Sequence, residues 1–309
     1  MWLDIQIFGF RALWSPYYLA FIVLIGILYM LYTGPLRHKF GNVERATIKQ
    51  QSLFYGGLLL VYLVKGAPID LLSHIMMGAH MIQMAFLYLL APILLIRGIP
   101  SWMWEWFIEL RYVRPIFKFF TIPLIAFALF NSLFPIYHIP AIFDFSKESQ
   151  MAHSLITLVL FIFAVFMWWP IITPVKKYDI LQPLLKIVYL VLSAFLVSIA
   201  CALIIFSNDP LFSAFSSNGA WIQSMSLCVP VDVLNGLTDA NALTGPDMFS
   251  PLNIVEDQQF GGIVMMTMQQ IIYTSVISWV FFGWFSRKSL EVDPMPTDLP
   301  YSVGSSERN

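Results

Sequence analysis

The chain has 309 residues, of which 59% are hydrophobic and 11% charged, with a mean hydropathy of +0.75. A soluble domain carries about 25% charged residues, so this composition excludes a water-soluble globule, a disordered chain, a secreted disulfide scaffold and a nucleic-acid binder. The formal net charge of -1 says little, because in a membrane protein the placement of charge outweighs its sum.

Apolar runs of about 18 residues without an internal charge read as transmembrane helices. Seven candidate spans are found, over 12–32, 50–66, 72–96, 116–136, 153–172, 184–206 and 262–285. Ahead of the first lie Asp4 and Arg11, with no basic leader or small-residue cleavage site of a signal peptide. The second, SLFYGGLLLVYLV, is short and holds glycine. The third, SHIMMGAHMIQMAFLYLLAPILLI, is long enough to tilt. His138 follows the fourth and His153 opens the fifth. Cys201 in the sixth span and Cys228 beyond it form no CxxC motif and are read as unpaired. The segment 207–261 has no Lys or Arg but carries Asp209, Asp232, Asp239, Asp247, Glu256 and Asp257. It is expected to lie outside and to hold short helices or a cap over the bundle. No alternating pattern of a membrane barrel is present. The expected fold is all-α: a polytopic bundle of seven transmembrane helices over 1–289, with 290–309 as a Pro- and Ser-rich disordered cytoplasmic tail.

Lys and Arg accumulate on cytoplasmic loops. Arg37, Lys39, Arg45 and Lys49 follow the first span, and Arg97, Arg111, Arg114 and Lys118 the third. Lys176, Lys177 and Lys186 follow the fifth, and Arg287, Lys288 and Arg308 the seventh. Only Arg11, Lys65 and Lys147 of the 17 basic residues fall on the opposite side. This split places the N-terminus outside and the C-terminus in the cytoplasm of a multi-pass protein in the lipid bilayer of the cell membrane. Trp102, Trp104, Trp106 and the Trp168–Pro170 run are expected as interfacial anchors on the inner side.

Charge is almost absent from the span centres, which disfavours an ion-coupled transporter. No nucleophile elbow, P-loop or dinucleotide fingerprint appears, so no catalytic residue is assigned and the chain is not read as an enzyme. His38 belongs to the solvated basic loop, whereas His74, His80, His138 and His153 all fall at the outer ends of spans. Treated as one helix at about 100° per residue, span three sets His80, Met84, Met77, Met81 and His74 within an arc of roughly 120°. Met265, near the start of span seven, reaches the same depth. Thioether with imidazole suits copper, above all Cu(I). Asp70, Asp144 and Asp257 at the same boundary, with Met77, are candidates to support such a site by orienting imidazoles. The same residues also fit plain packing, since methionine fills apolar cores. They fit haem as well, which two facing imidazoles can ligate.

The runs AHMIQMAFLYLLAPILLIRGIP, YHIPAIFD, AHSLI with WWPII, and DQQFGGIVMMTMQ together resemble the CtaG family of caa(3)-type cytochrome c oxidase assembly factors. The resemblance covers nearly all seven spans. It implies a membrane protein needed for active oxidase, with a role in supplying copper, and hence oxidase subunits and a copper donor protein as partners. Carried over position by position, the family's recurrent histidines fall at His80, His138 and His153, and its Asp-Gln-Gly-Gly-Met block at Asp257, Gln258, Gly261, Gly262 and Met265. Many relatives have a second histidine where this chain has Met84, one turn after His80, so a thioether stands in for an imidazole. The expected metal ligands are therefore His74, His80, Met81, Met84, His138, His153 and Met265. Haem binding and a metal-free assembly scaffold stand as the alternatives.

Overall fold

The computed structural model describes residues 2–41, 43–243 and 245–292, and among the described residues every regular element is helical. Helices α1 (Trp2–Ile5) and α2 (Gly9–Trp14) lead into α3 (Pro16–Thr33). A capping box opens α4 (Ile48–Lys65): Thr47 accepts from the Gln50 amide while the Gln50 side chain accepts from Thr47. Pro68 starts α5 (Pro68–Ile75), bent 42° from α4. Then α6 (Met77–Met84), a π-helical segment (Ala85–Leu90) and α7 (Ala91–Gly98) form one continuous apolar rod. After α8 (Ser101–Ile108), α9 (Val113–Phe120) meets α10 (Pro123–Tyr137) at a 74° bend. Helix α11 (Pro140–Glu148) links α10 to α12 (Gln150–Ile172), which is followed by α13 (Pro183–Ile205). Three short helices, α14 (Ser213–Ser216), α15 (Asn218–Met225) and α16 (Val231–Asp239), precede the long α17 (Ile254–Val292).

Among the described residues five helical stretches are long and apolar enough to cross a membrane, or seven if each bent pair counts as one span. In the Met77–Gly98 rod 67% of the most apolar window is buried, against 33% in α13, so the rod is the central member of the bundle. The outward faces leave Phe21, Leu24, Leu184, Leu192, Leu203 and Phe282 exposed. At about 25 cal/mol per Å² that surface is costly in water and well placed in lipid.

Several expectations need correcting. Span three is not one helix over 72–96. Met76 is extended (φ -138°, ψ 146°), so His74 belongs to α5 and only His80 to α6. The cause is tertiary: the Asp257 carboxylate, on α17, accepts from the amides of Met77 (2.6 Å) and Gly78 (3.3 Å), two donors a helix start leaves unpaired. The shared arc of His74 and His80 therefore does not exist. Helix α17 starts at Ile254 rather than near 262, because Asn253 and Glu256 exchange side-chain and backbone hydrogen bonds as a second capping box. Trp168 and Trp169 are buried core residues, not interfacial anchors. Trp168 Nε1 donates to the Tyr88 carbonyl (3.2 Å) within the π segment, and Trp104 packs edge-on against Trp169 at 4.8 Å. Residues 293–309 of the expected tail lie outside the described residues.

The two ends of the bundle differ. At one, the loops after α3, α7 and α12 meet: Phe40 packs on Trp102 and Trp106, and Glu109 pairs with Lys177 and Arg114. At the other, α14 and α15 pack over α5 and α11, and residues of α2 and α16 join them in one apolar cluster. This cap has its own core of Phe8, Leu13, Leu71, Trp221, Met225 and Phe249, and Trp221 Nε1 donates to the Ile75 carbonyl. The histidines lie beneath it.

Candidate functional site

Helix α6 carries His80, fully buried, its ring 5.0 Å from that of Phe143 and 6.1 Å from that of His138. Among the described residues neither His80 ring nitrogen has a hydrogen-bond partner. His138 ends α10, just past Pro135. Its Nδ1 lies 2.8 Å from the Phe134 carbonyl, which can only accept, so Nδ1 holds the proton and the Nε2 lone pair of the neutral ring is free. Nε2 is buried without a partner. His153, in the first turn of α12, likewise has both nitrogens buried and bare. Its ring lies 5.1 Å from that of His74.

The four imidazoles thus come as two pairs, His80 with His138 and His74 with His153. Lys147 of α11 lies beside the second pair: it is buried, and its Nζ is 3.1 Å from His74 Nδ1. An ammonium only donates, so while Lys147 is charged His74 accepts at Nδ1 and carries its proton on Nε2. Ser224 of the cap stands 3.4 Å from the same nitrogen. Among the described residues Lys147 has no carboxylate in ion-pair range; it faces the rings of Phe143 (5.4 Å) and Phe215 (5.8 Å) instead. Lys147 lies on the linker between two spans, where burial, reinforced by the Lys65 charge and opposed by that of Asp70, pushes its ammonium down to about 7.

The three acids expected to orient imidazoles do other work. Asp70 pairs with Lys65 (2.8 Å) and accepts from Gln83 Nε2 (2.7 Å), tying α4 and α5 to α6. Asp144 accepts from the amides of Ser213 and Ala214 (both 3.1 Å) and so docks the cap. Asp257 caps α6. Met77, Met81, Met84 and Met265 are all buried in the main core. Helix α17 approaches α6 closely at Gly261, where a Cβ would stand 3.1 Å from the Met77 carbonyl and 3.2 Å from Met81 Cγ; Met265 follows one turn later. Among the described residues no three His, Cys, Asp or Glu side chains are grouped to hold one ion. Any ion held here takes two imidazoles, completed by thioether or left low-coordinate. Among the described residues, five cavities have no histidine in their walls. Cys201 and Cys228 are free thiols.

Lys147 and Gln83 escaped the sequence reading. A usable signal for Lys147 was its place between His138 and His153 on the short FDFSKE helix. Ser224 gave none, since only the folding of the cap brings it in.

A family model described as "Cytochrome c oxidase caa3 assembly factor" matches residues 27–287, which include every residue of the cluster. No curated protein and no solved structure matches the chain.

Proposed function

Because the chain belongs to the caa3 cytochrome c oxidase assembly factor family, we propose that it holds copper in the histidine cluster beneath its cap and hands the ion to the oxidase. One observation carries this reading. Both nitrogens of His80, both of His153 and Nε2 of His138 are buried without partners. Leaving one buried polar group unpaired costs about 1–3 kcal/mol, and each neutral imidazole carries one free lone pair, so the three bare lone pairs of His80, His138 and His153 favour an electron-pair acceptor such as a metal ion. His138, anchored through Nδ1 to a backbone carbonyl, has the arrangement that metal-binding histidines commonly make. Imidazole with thioether selects copper, and Met81, Met84 and Met265 share the surrounding core.

Imidazoles in pairs suit a donor better than a permanent site, because an ion held by few ligands exchanges readily. In this account the cap and the N-terminus face outward and the basic end faces the cytoplasm, as the loop charges suggest. The partners are the oxidase and a protein that supplies copper. The chain performs no catalysis of its own.

The test is deletion followed by complementation at limiting copper. Cells lacking the protein should make the oxidase polypeptide but leave it inactive and copper-poor. His80→Ala and His138→Ala, at wild-type abundance, should fail to restore activity. Full restoration by both variants contradicts the copper reading. Inactive oxidase with a full copper complement would instead indicate a scaffold, and a haem absorption band in the purified protein would indicate haem.

A further inference from the structure

A cavity of about 510 Å³ lies away from the histidines, between α4, α7, α12 and α17. Its walls are apolar side chains that include Phe86, Met268 and Ile272. Two cations, Lys49 and Arg97, stand at one end. Lys49 is exposed in the first turn of α4, and Arg97 is half-buried in the last turn of α7. Among the described residues neither has a carboxylate in ion-pair range. Arg97 instead lies over the Trp279 ring at 5.2 Å, and Trp279 is half-exposed.

From Met268 to Trp279 the wall runs along α17 for about 16 Å at 1.5 Å per residue. That is about half the roughly 30 Å hydrocarbon core of a bilayer, the depth of one leaflet. Ile271, on the same stretch, is 62% exposed, so the groove opens toward the surrounding lipid. We propose that this groove binds one anionic phospholipid, its acyl chain along Phe86, Met268 and Ile272 and its phosphate between Lys49 and Arg97. The tryptophan ring sets headgroup depth, as aromatic residues do at membrane interfaces. Charge selects the occupant: an apolar partner helix would fill the walls but bring no anion to the two cations, and a zwitterionic lipid brings a phosphate whose charge its own ammonium offsets. The end that holds them is also where the basic loops gather, so an anionic headgroup fits whichever leaflet faces it.

Native mass spectrometry of the full-length protein, exchanged into detergent with equal amounts of phosphatidylglycerol and phosphatidylcholine, tests this. One phosphatidylglycerol should be retained in preference. Lys49→Gln combined with Arg97→Gln should weaken that retention by about 25-fold, taking about five-fold per cation. Lys49→Gln alone, at an exposed position outside the core, should account for about five-fold of it. Arg111→Gln with Lys118→Gln, the same charge change outside the groove, should leave retention unaltered. Equal retention of both lipids by the wild type would overturn the proposal and leave the groove to a partner helix. An equal loss in the Arg111 and Lys118 variant would overturn it in favour of undirected surface charge.

Discussion

Lys147 lies between His74 and the rings of Phe143 and Phe215, and its protonation sets the charge of the cluster. With its ammonium pushed down to about 7, against an unfolded value of about 10.4, the folded chain holds fewer protons than the unfolded chain between those limits. Stability therefore rises with pH across that window, and below it the buried charge exacts its full penalty. Lys147→Met should stabilise the protein in detergent more at about pH 6 than at about pH 9, by a difference in unfolding free energy on the order of a few kcal/mol, seen as a larger rise in thermal midpoint at the lower pH. Equal gains at the two pH values would show that burial does not perturb this amine. At this scale the sequence was partly legible. His80, His138 and His153 stood out because imidazoles are rare in apolar spans. Lys147 was only counted among the three basic residues on the outer side, because its burial is created by cap residues such as Phe215 and Ser224, distant in the chain.

Among the elements, the placement of α6 rests on a bond between residues 180 positions apart, from the Met77 amide to Asp257. Asp257→Ala should leave the Met77 and Gly78 amides unpaired and cost about 1–2 kcal/mol. Asp257→Asn, which keeps one acceptor oxygen, should cost less. Thermal unfolding in detergent checks both, and an unchanged midpoint for the alanine variant would show that the cap is dispensable. Gly98→Ala should cost more, about 3 kcal/mol or above, because its Cβ would stand 2.5 Å from the Phe54 backbone nitrogen and force α4 from α7. The apolar runs were readable as helices throughout. The break at Met76 was not, since the 72–96 run has no Gly, Pro or charge at that point. The start of α17 was missed for the opposite reason: Glu256, Asp257, Gln258 and Gln259 look like loop residues until two capping interactions are seen to use them.

Across the whole molecule, basic loops at one end and a cap without Lys or Arg at the other make orientation testable. Cysteines engineered into the 217–243 region of the cap should react with an impermeant reagent added outside intact cells. Those placed at Lys39 or Lys177 should react only after the membrane is opened. The reverse pattern would invert the topology and put the histidines on the cytoplasmic side. Copper binding is the central claim, and the most direct test is titration of the purified full-length protein with Cu(I) against a chelator of known affinity. The wild type should take up copper. His80→Ala with His138→Ala should bind more than about 100-fold more weakly, since losing a ligand exceeds the roughly 10–100-fold cost of losing a ligand's orienting partner. His38→Ala, in the basic loop, should match the wild type. No uptake by the wild type, or equal affinity in all three proteins, would contradict the account.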